Sequence, residues 1–180
     1  MEPSDSELVA RCLEAKEAFG ELYRRHAPSI FAFLKGMHRG DEHAAADSLQ
    51  ETFLRAWNAL PRFDRERALR PWLLTIAGNV ARDAIARMRR VEVRANVPEQ
   101  ATEERPDEKV ATSDACWRLL ERVANRLPER ALEAFLLARV QGLSYAQIAA
   151  IHDCSPATVK RDLADALAAL SGAAAELGWV

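Results

Sequence analysis

Large apolar residues recur along the chain at spacings of three and four with polar residues between them, and no stretch alternates with the period of two that a half-buried strand requires. The pattern predicts an all-α protein. Ser4 with Glu7 carries a capping-box signature that opens a helix through Leu8, Val9, Cys12 and Leu13. A second helical pattern runs through Phe19, Leu22 and Tyr23 and again through Ile30, Phe31, Phe33 and Leu34, with Pro28 expected to kink or break it. Gly40 and Asp41 end that segment and cap the next, whose Leu49, Phe53, Leu54 and Trp57 fall at helical spacing. Leu60 to Arg70 has Pro61, mixed charge and no period, so it reads as a loop. Pro71 then suits the first turn of a long helix through Trp72, Leu73, Ile76, Val80 and Ile85.

Residues 96–112 break the pattern, because NVPEQATEERPDEKVAT holds two prolines and almost no large apolar side chain. Such a segment cannot bury itself and reads as a flexible acidic linker. The chain therefore divides into a domain over 1–95, the linker over 96–112 and a domain over 113–180. In the second domain Thr112 or Ser113 can cap a helix through Trp117, Leu119, Leu120 and Val123, and Pro128 starts another through Leu132, Phe135, Leu136 and Val140 that Gly142 stops.

The next segment, GLSYAQIAAIHDCSPATVKRDL, is the most specific local signal. Ser144 caps a two-turn helix over Tyr145, Ile148, Ala149 and Ile151, Asp153 sits in a turn where a left-handed backbone is needed, and Ser155 with Pro156 opens a last helix through Val159, Leu163, Leu167 and Leu170. This is the pattern of a helix-turn-helix, which presents the first turns of its second helix, here Ser155, Pro156, Ala157, Thr158, Lys160 and Arg161, to the major groove of DNA.

Charge supports a polyanion partner once it is counted by segment. The whole chain carries a formal net charge of -2, yet residues 62–94 hold nine arginines against four acids, a net of +5. Arg82, Arg87, Arg89 and Arg90 interleave with apolar positions, so one helix can bury a face and offer the other to phosphates. Phe63 in the basic loop PRFDRERALRP could stack on an unpaired base, and Asn79 could hydrogen-bond a base edge. Cys12, Cys116 and Cys154 stand far apart and odd in number, so they read as small buried apolar residues rather than a disulfide framework or zinc site. No signal peptide or run of about 18 apolar residues is apparent, which makes the cytoplasm the expected address and excludes a helical membrane insertion.

Taken in order, ELYRRHAP, GD followed by DSLQETFLRAW, the F-D loop with Trp72, Leu73, Ile76, Ala77, Asn79 and Asp83, then RLPER, FLLARVQGLSYAQIA and SPATVK resemble the extracytoplasmic-function sigma factors of bacterial RNA polymerase, from about Asp5 to Leu170. The resemblance implies two helical domains, regions two and four, that give polymerase its promoter specificity without catalytic activity or a cofactor. It implies that Asp47, Leu49, Gln50, Glu51 and Phe53 dock on the beta-prime clamp helices of core RNA polymerase, with further contact to the beta subunit. It implies that minus-10 DNA is captured by Phe63, Asp64, Arg65 and Arg67 of the loop reaching Arg70, together with Asn79, Arg82 and Arg87. The helix-turn-helix would read minus-35 promoter DNA, and an anti-sigma factor is a further partner of such proteins. Asp162 and Asp165 depart from the basic or aromatic recognition helix usual in the family, and acids beside phosphates are expected to weaken duplex binding.

Two rival readings remain. A stand-alone helix-turn-helix regulator explains the C-terminal half but gives DSLQETF and the aromatic basic loop no role. A metal-dependent hydrolase would use His38, His43 and Asp47, with no fourth ligand in view, while His26 and His152 are expected at the surface or boundary.

Overall fold

A computed structural model describes residues 3–95, 120, 123, 124 and 126–176. The expected linker and most of the helix expected through Trp117 lie outside the described residues. Among those described the chain is all-helical, in two units: α1 (Asp5–Glu14), α2 (Phe19–Met37), α3 (Glu42–Ala59) and α4 (Leu69–Ala95), then α5 (Glu129–Phe135), α6 (Tyr145–Ile151) and α7 (Pro156–Glu176).

Local chemistry sets most boundaries. Ser4 accepts from the Glu7 backbone N–H at 3.2 Å while the Glu7 carboxylate accepts from the Ser4 N–H at 2.7 Å, closing the expected capping box on α1. Asp41 caps α3 by accepting from the Ala44 N–H at 2.9 Å, after Gly40 turns the chain with φ of 92°. Pro28, expected to kink or break α2, lies inside an unbroken helix. Removing one backbone donor costs about 3 kcal/mol, but Leu22, Ile30, Phe33 and Leu34 are fully buried on both sides of it. Burying such side chains is worth about 1.5–3 kcal/mol each, so tertiary packing wins. α4 begins at Leu69, two residues before Pro71, and the preceding segment contains a single 3₁₀ turn at Leu60–Arg62.

The core of the first unit lies between α2, α3 and α4, with α1 folded across α2. In the second unit α5 and α6 both pack on α7. α5 runs into a turn of π-helix at Leu136–Val140, and Gly142 ends it with φ of 67°.

The two units dock through α2 and α4 on one side and α5, the π turn and α6 on the other. Leu136 lies so close to α2 that a Cβ on Gly36 would come within 2.5 Å of its Cδ2. Gln141, buried beside it, accepts from Ser29 Oγ at 2.6 Å and from the Arg70 guanidinium at 2.8 Å, and returns a bond from its amide nitrogen to the Ser29 carbonyl at 2.8 Å.

Candidate nucleic-acid and polymerase interfaces

α3 is a two-faced helix whose orientation decides which side chains can meet a partner. Ala45, Leu49, Thr52, Phe53 and Ala56 form its buried stripe, and Phe53 packs on Tyr23 with ring centroids 4.6 Å apart. Leu49 at 8% and Phe53 at 4% exposure therefore belong to the core and not to a docking surface as the sequence suggested. Asp47 and Gln50 are exposed, and Glu51 is half-buried and holds Arg55 at 2.7 Å. Leu54, at 56% exposure, shares their side of the helix; it was missed because it was read only as part of the apolar period.

The basic loop closes one wall of a cleft of about 380 Å³. Phe63, Arg65, Arg67 and Arg70 line it together with Asp5 and Ser6 from the first turn of α1, residues the sequence reading did not connect with this site. Phe63 is half-buried with its ring 4.7 Å from that of Trp72, while Asp64 and Arg67 are exposed and pair at 3.5 Å. Asp5 is fixed by Arg25 at 3.2 Å and by His26 at 3.1 Å, and His26 is buried rather than at the surface.

Asn79 does not line this cleft. Its side-chain oxygen accepts from Arg82, whose guanidinium also donates to both carboxylate oxygens of Glu133 on α5. The structure thus ties Arg82 to the other unit, while Asn79 and Arg87 are exposed on α4. Glu133 is 2% exposed. Burial pushes its carboxyl pKa upward, but His152 and Arg82 outweigh burial and hold it below the ordinary carboxylate value, so it is ionised at neutral pH. His152, expected at the surface or boundary, is partly exposed as a residue but turns its ring inward, with Nε2 3.5 Å from Glu133 and neither ring nitrogen hydrogen-bonded.

The helix-turn-helix forms as its caps predict. Ser144 and Gln147 make a second capping box on α6, Asp153 adopts φ of 47°, and the Cys154 N–H reaches back to the Ala149 carbonyl at 2.9 Å. Ser155 accepts from the Thr158 N–H at 3.2 Å and so serves α7 as its cap. Pro156, Ala157, Lys160 and Arg161 are exposed, with Thr158 half-buried. Asp162 does not lie beside them: it turns inward to meet Arg130 of α5 at 2.9 Å, because Val159, Leu163 and Ala166 put that side of α7 against the core. Asp165 is exposed.

His38, a ligand in the hydrolase reading, is buried and bonded through Nε2 to Ser48 Oγ at 2.7 Å. Burial lowers its pKa, against a smaller upward pull from Asp41. Cys12 is buried and Cys154 half-buried, both as free thiols.

Comparison with known proteins adds an independent line. Residues 22–91 match the family described as Sigma-70 region 2, and residues 117–170 match Sigma-70, region 4. The chain is 36% identical to the RNA polymerase sigma factor CarQ of Myxococcus xanthus over 81% of its own length and 83% of that protein's. It is 34% identical to the ECF RNA polymerase sigma factor SigC of Mycobacterium tuberculosis, over 87% and 81% of the two chains. Among solved structures, CnrH in complex with the cytosolic domain of CnrY aligns with a TM-score of 0.70 at 24% identity, over 93% of this chain and 95% of that one. RpoE of Bartonella quintana, solved with the anti-sigma factor NepR, gives 0.70 at 23% identity, over 86% and 95%. At these identities the two structures speak for the fold alone.

Proposed function

The chain belongs to the extracytoplasmic-function group of the sigma-70 family, whose members bind core RNA polymerase and direct promoter-specific transcription initiation, and we propose that it divides this work among three surfaces. The side of α3 bearing Asp47, Gln50, Glu51 and Leu54 meets the beta-prime clamp helices. The cleft of Phe63, Arg65 and Arg67, with Arg82 and Arg87 of α4, takes the minus-10 strand. The start of α7, with Lys160 and Arg161 foremost, reads the minus-35 duplex. We place region two at 1–95, the linker at 96–112 and region four at 113–180, and read the factor as cytoplasmic and without catalytic activity. Among the described residues no helix is long and apolar enough to cross a membrane. We also propose an anti-sigma factor as a partner, as the resemblance to the family implies.

The observation that carries this reading is the segregation of the exposed polar and basic groups: the cleft and α7 use different chemistry on different units. Phe63→Ala and Arg65→Ala should weaken holoenzyme binding to single-stranded minus-10 DNA, by about 1–3 kcal/mol for a lost stacking interaction. Lys160→Ala and Arg161→Ala should spare that binding and weaken the minus-35 duplex contact, by about 1–3 kcal/mol for a bidentate base contact. Loss of both activities from either pair would refute the division.

A further inference from the structure

The cleft beside the basic loop has a wall that the loop does not supply, the first turn of α1 with Asp5 and Ser6. Arg25 clamps that turn twice, its guanidinium donating to the Pro3 carbonyl at 2.6 Å and to Asp5 Oδ1 at 3.2 Å. The buried His26 adds a contact from Nε2 to the same oxygen at 3.1 Å. Both contacts fall on Oδ1, so Asp5 is fixed in place, half-buried, with no partner for Oδ2 among the described residues. Glu66 also lines the cleft, but it is exposed on the loop and nothing among the described residues holds its side chain. A fixed carboxylate is out of place where Arg65, Arg67 and Arg70 attract phosphates, because it repels them. What does suit an acceptor-only group is the uncharged edge of a base that offers it a hydrogen.

We propose that Asp5 determines base specificity in this cleft: its free oxygen accepts a hydrogen bond from the exocyclic amino group of an unpaired base, which favours cytosine, adenine or guanine over thymine. Thymine has a single donor, N3–H, between two carbonyl oxygens, and a carboxylate that reaches it meets an oxygen on either side. The amino groups of the other bases project from the edge and can be met by one oxygen alone. Arg25 and His26 are positioning residues, since they take Oδ1 and leave Oδ2 to the ligand. The inference rests on the assignment of the cleft to the minus-10 strand.

The test measures binding of oligo(dC), oligo(dA) and oligo(dT) of equal length to holoenzyme carrying wild type, Asp5→Asn or Phe63→Ala. Asparagine keeps the size of the side chain and an oxygen for Arg25 and His26, so the turn of α1 holds, but it puts an NH₂ donor where Oδ2 stood. Loss of the negative charge tightens every strand alike, so the readout is the ratio of affinities for oligo(dC) and oligo(dA) to that for oligo(dT). Both ratios should fall about tenfold in Asp5→Asn, as the charge-assisted bond to the amino group is lost and the thymine carbonyls gain a donor. Equal tightening of all three strands, with unchanged ratios, overturns the proposal and leaves Asp5 acting through its charge alone. In that case Phe63→Ala still weakens all three. If Phe63→Ala binds every strand as wild type does, the cleft is not the minus-10 site, and the specificity of Asp5 falls with that assignment.

Discussion

Truncating Leu54 should weaken polymerase binding without unfolding the chain, and the expected size follows from how the residue sits on α3. Full burial of a leucine side chain is worth about 1.5–3 kcal/mol. Since 56% of Leu54 is still exposed, a partner can recover roughly that share, so Leu54→Ala should cost about 0.8–1.7 kcal/mol of binding, or about four- to seventeenfold in affinity. Leu49→Ala, five residues earlier and on the opposite face, gives the contrast. Leu49 is buried, so its truncation should cost about 2–5 kcal/mol of folding stability. That corresponds to a melting temperature lowered by about 2–4 °C per kcal/mol in a chain of this size. Competition against a labelled wild-type factor for core polymerase measures the first quantity, and thermal melting the second. A folded Leu54→Ala variant that competes within twofold of wild type would remove Leu54 from the interface. Leu49→Ala that melts normally but fails to compete would mean that α3 is rotated from its position here.

Two further outcomes concern the acids of α7, and a third the buried imidazole of α2. Asp165→Arg should steepen the salt dependence of duplex binding by about 0.9 in log units, the value for one more neutralised phosphate, and an unchanged slope would show that this side of α7 faces away from DNA. Asp162→Ala should leave DNA binding alone and cost about 1 kcal/mol, since its partner Arg130 is half-exposed; this is measured by melting, and a change in the salt slope would contradict the inward position. His38 favours its neutral form in the fold, so its contribution to stability is full above the unfolded imidazole value of 6.5 and is lost as pH falls from there toward the lowered folded value. Urea midpoints should drop between pH 7.5 and 5.5 in wild type and drop less in His38→Gln; equal drops would exonerate His38.

Much of this was legible in the sequence because caps and turns are local. Ser4 with Glu7, Ser144 with Gln147, Asp41, Gly142 and Asp153 each settle their own few residues whatever packs on them. The inward turn of Asp162 was also within reach of the helical period, since it lies three residues after Val159 and four before Ala166, both buried. The same period places Leu49 and Phe53 on one side of α3 and Asp47, Gln50 and Leu54 on another. Reading the motif as a block hid that division.

What no local rule could reach is the meeting of the two units. Glu133 is 51 residues from Arg82, and Gln141 is 112 from Ser29. In the sequence Glu133 is an acid among the apolar positions of α5, which by pattern alone would be assigned to solvent. A carboxylate there can be buried only if a cation from elsewhere compensates its lost hydration, because an unpaired buried charge costs several kcal/mol. Arg82 supplies that cation from the helix assigned to DNA. In this arrangement the Glu133 carboxylate is satisfied only when the two units are docked, so its burial and the Arg82 contact stand or fall together.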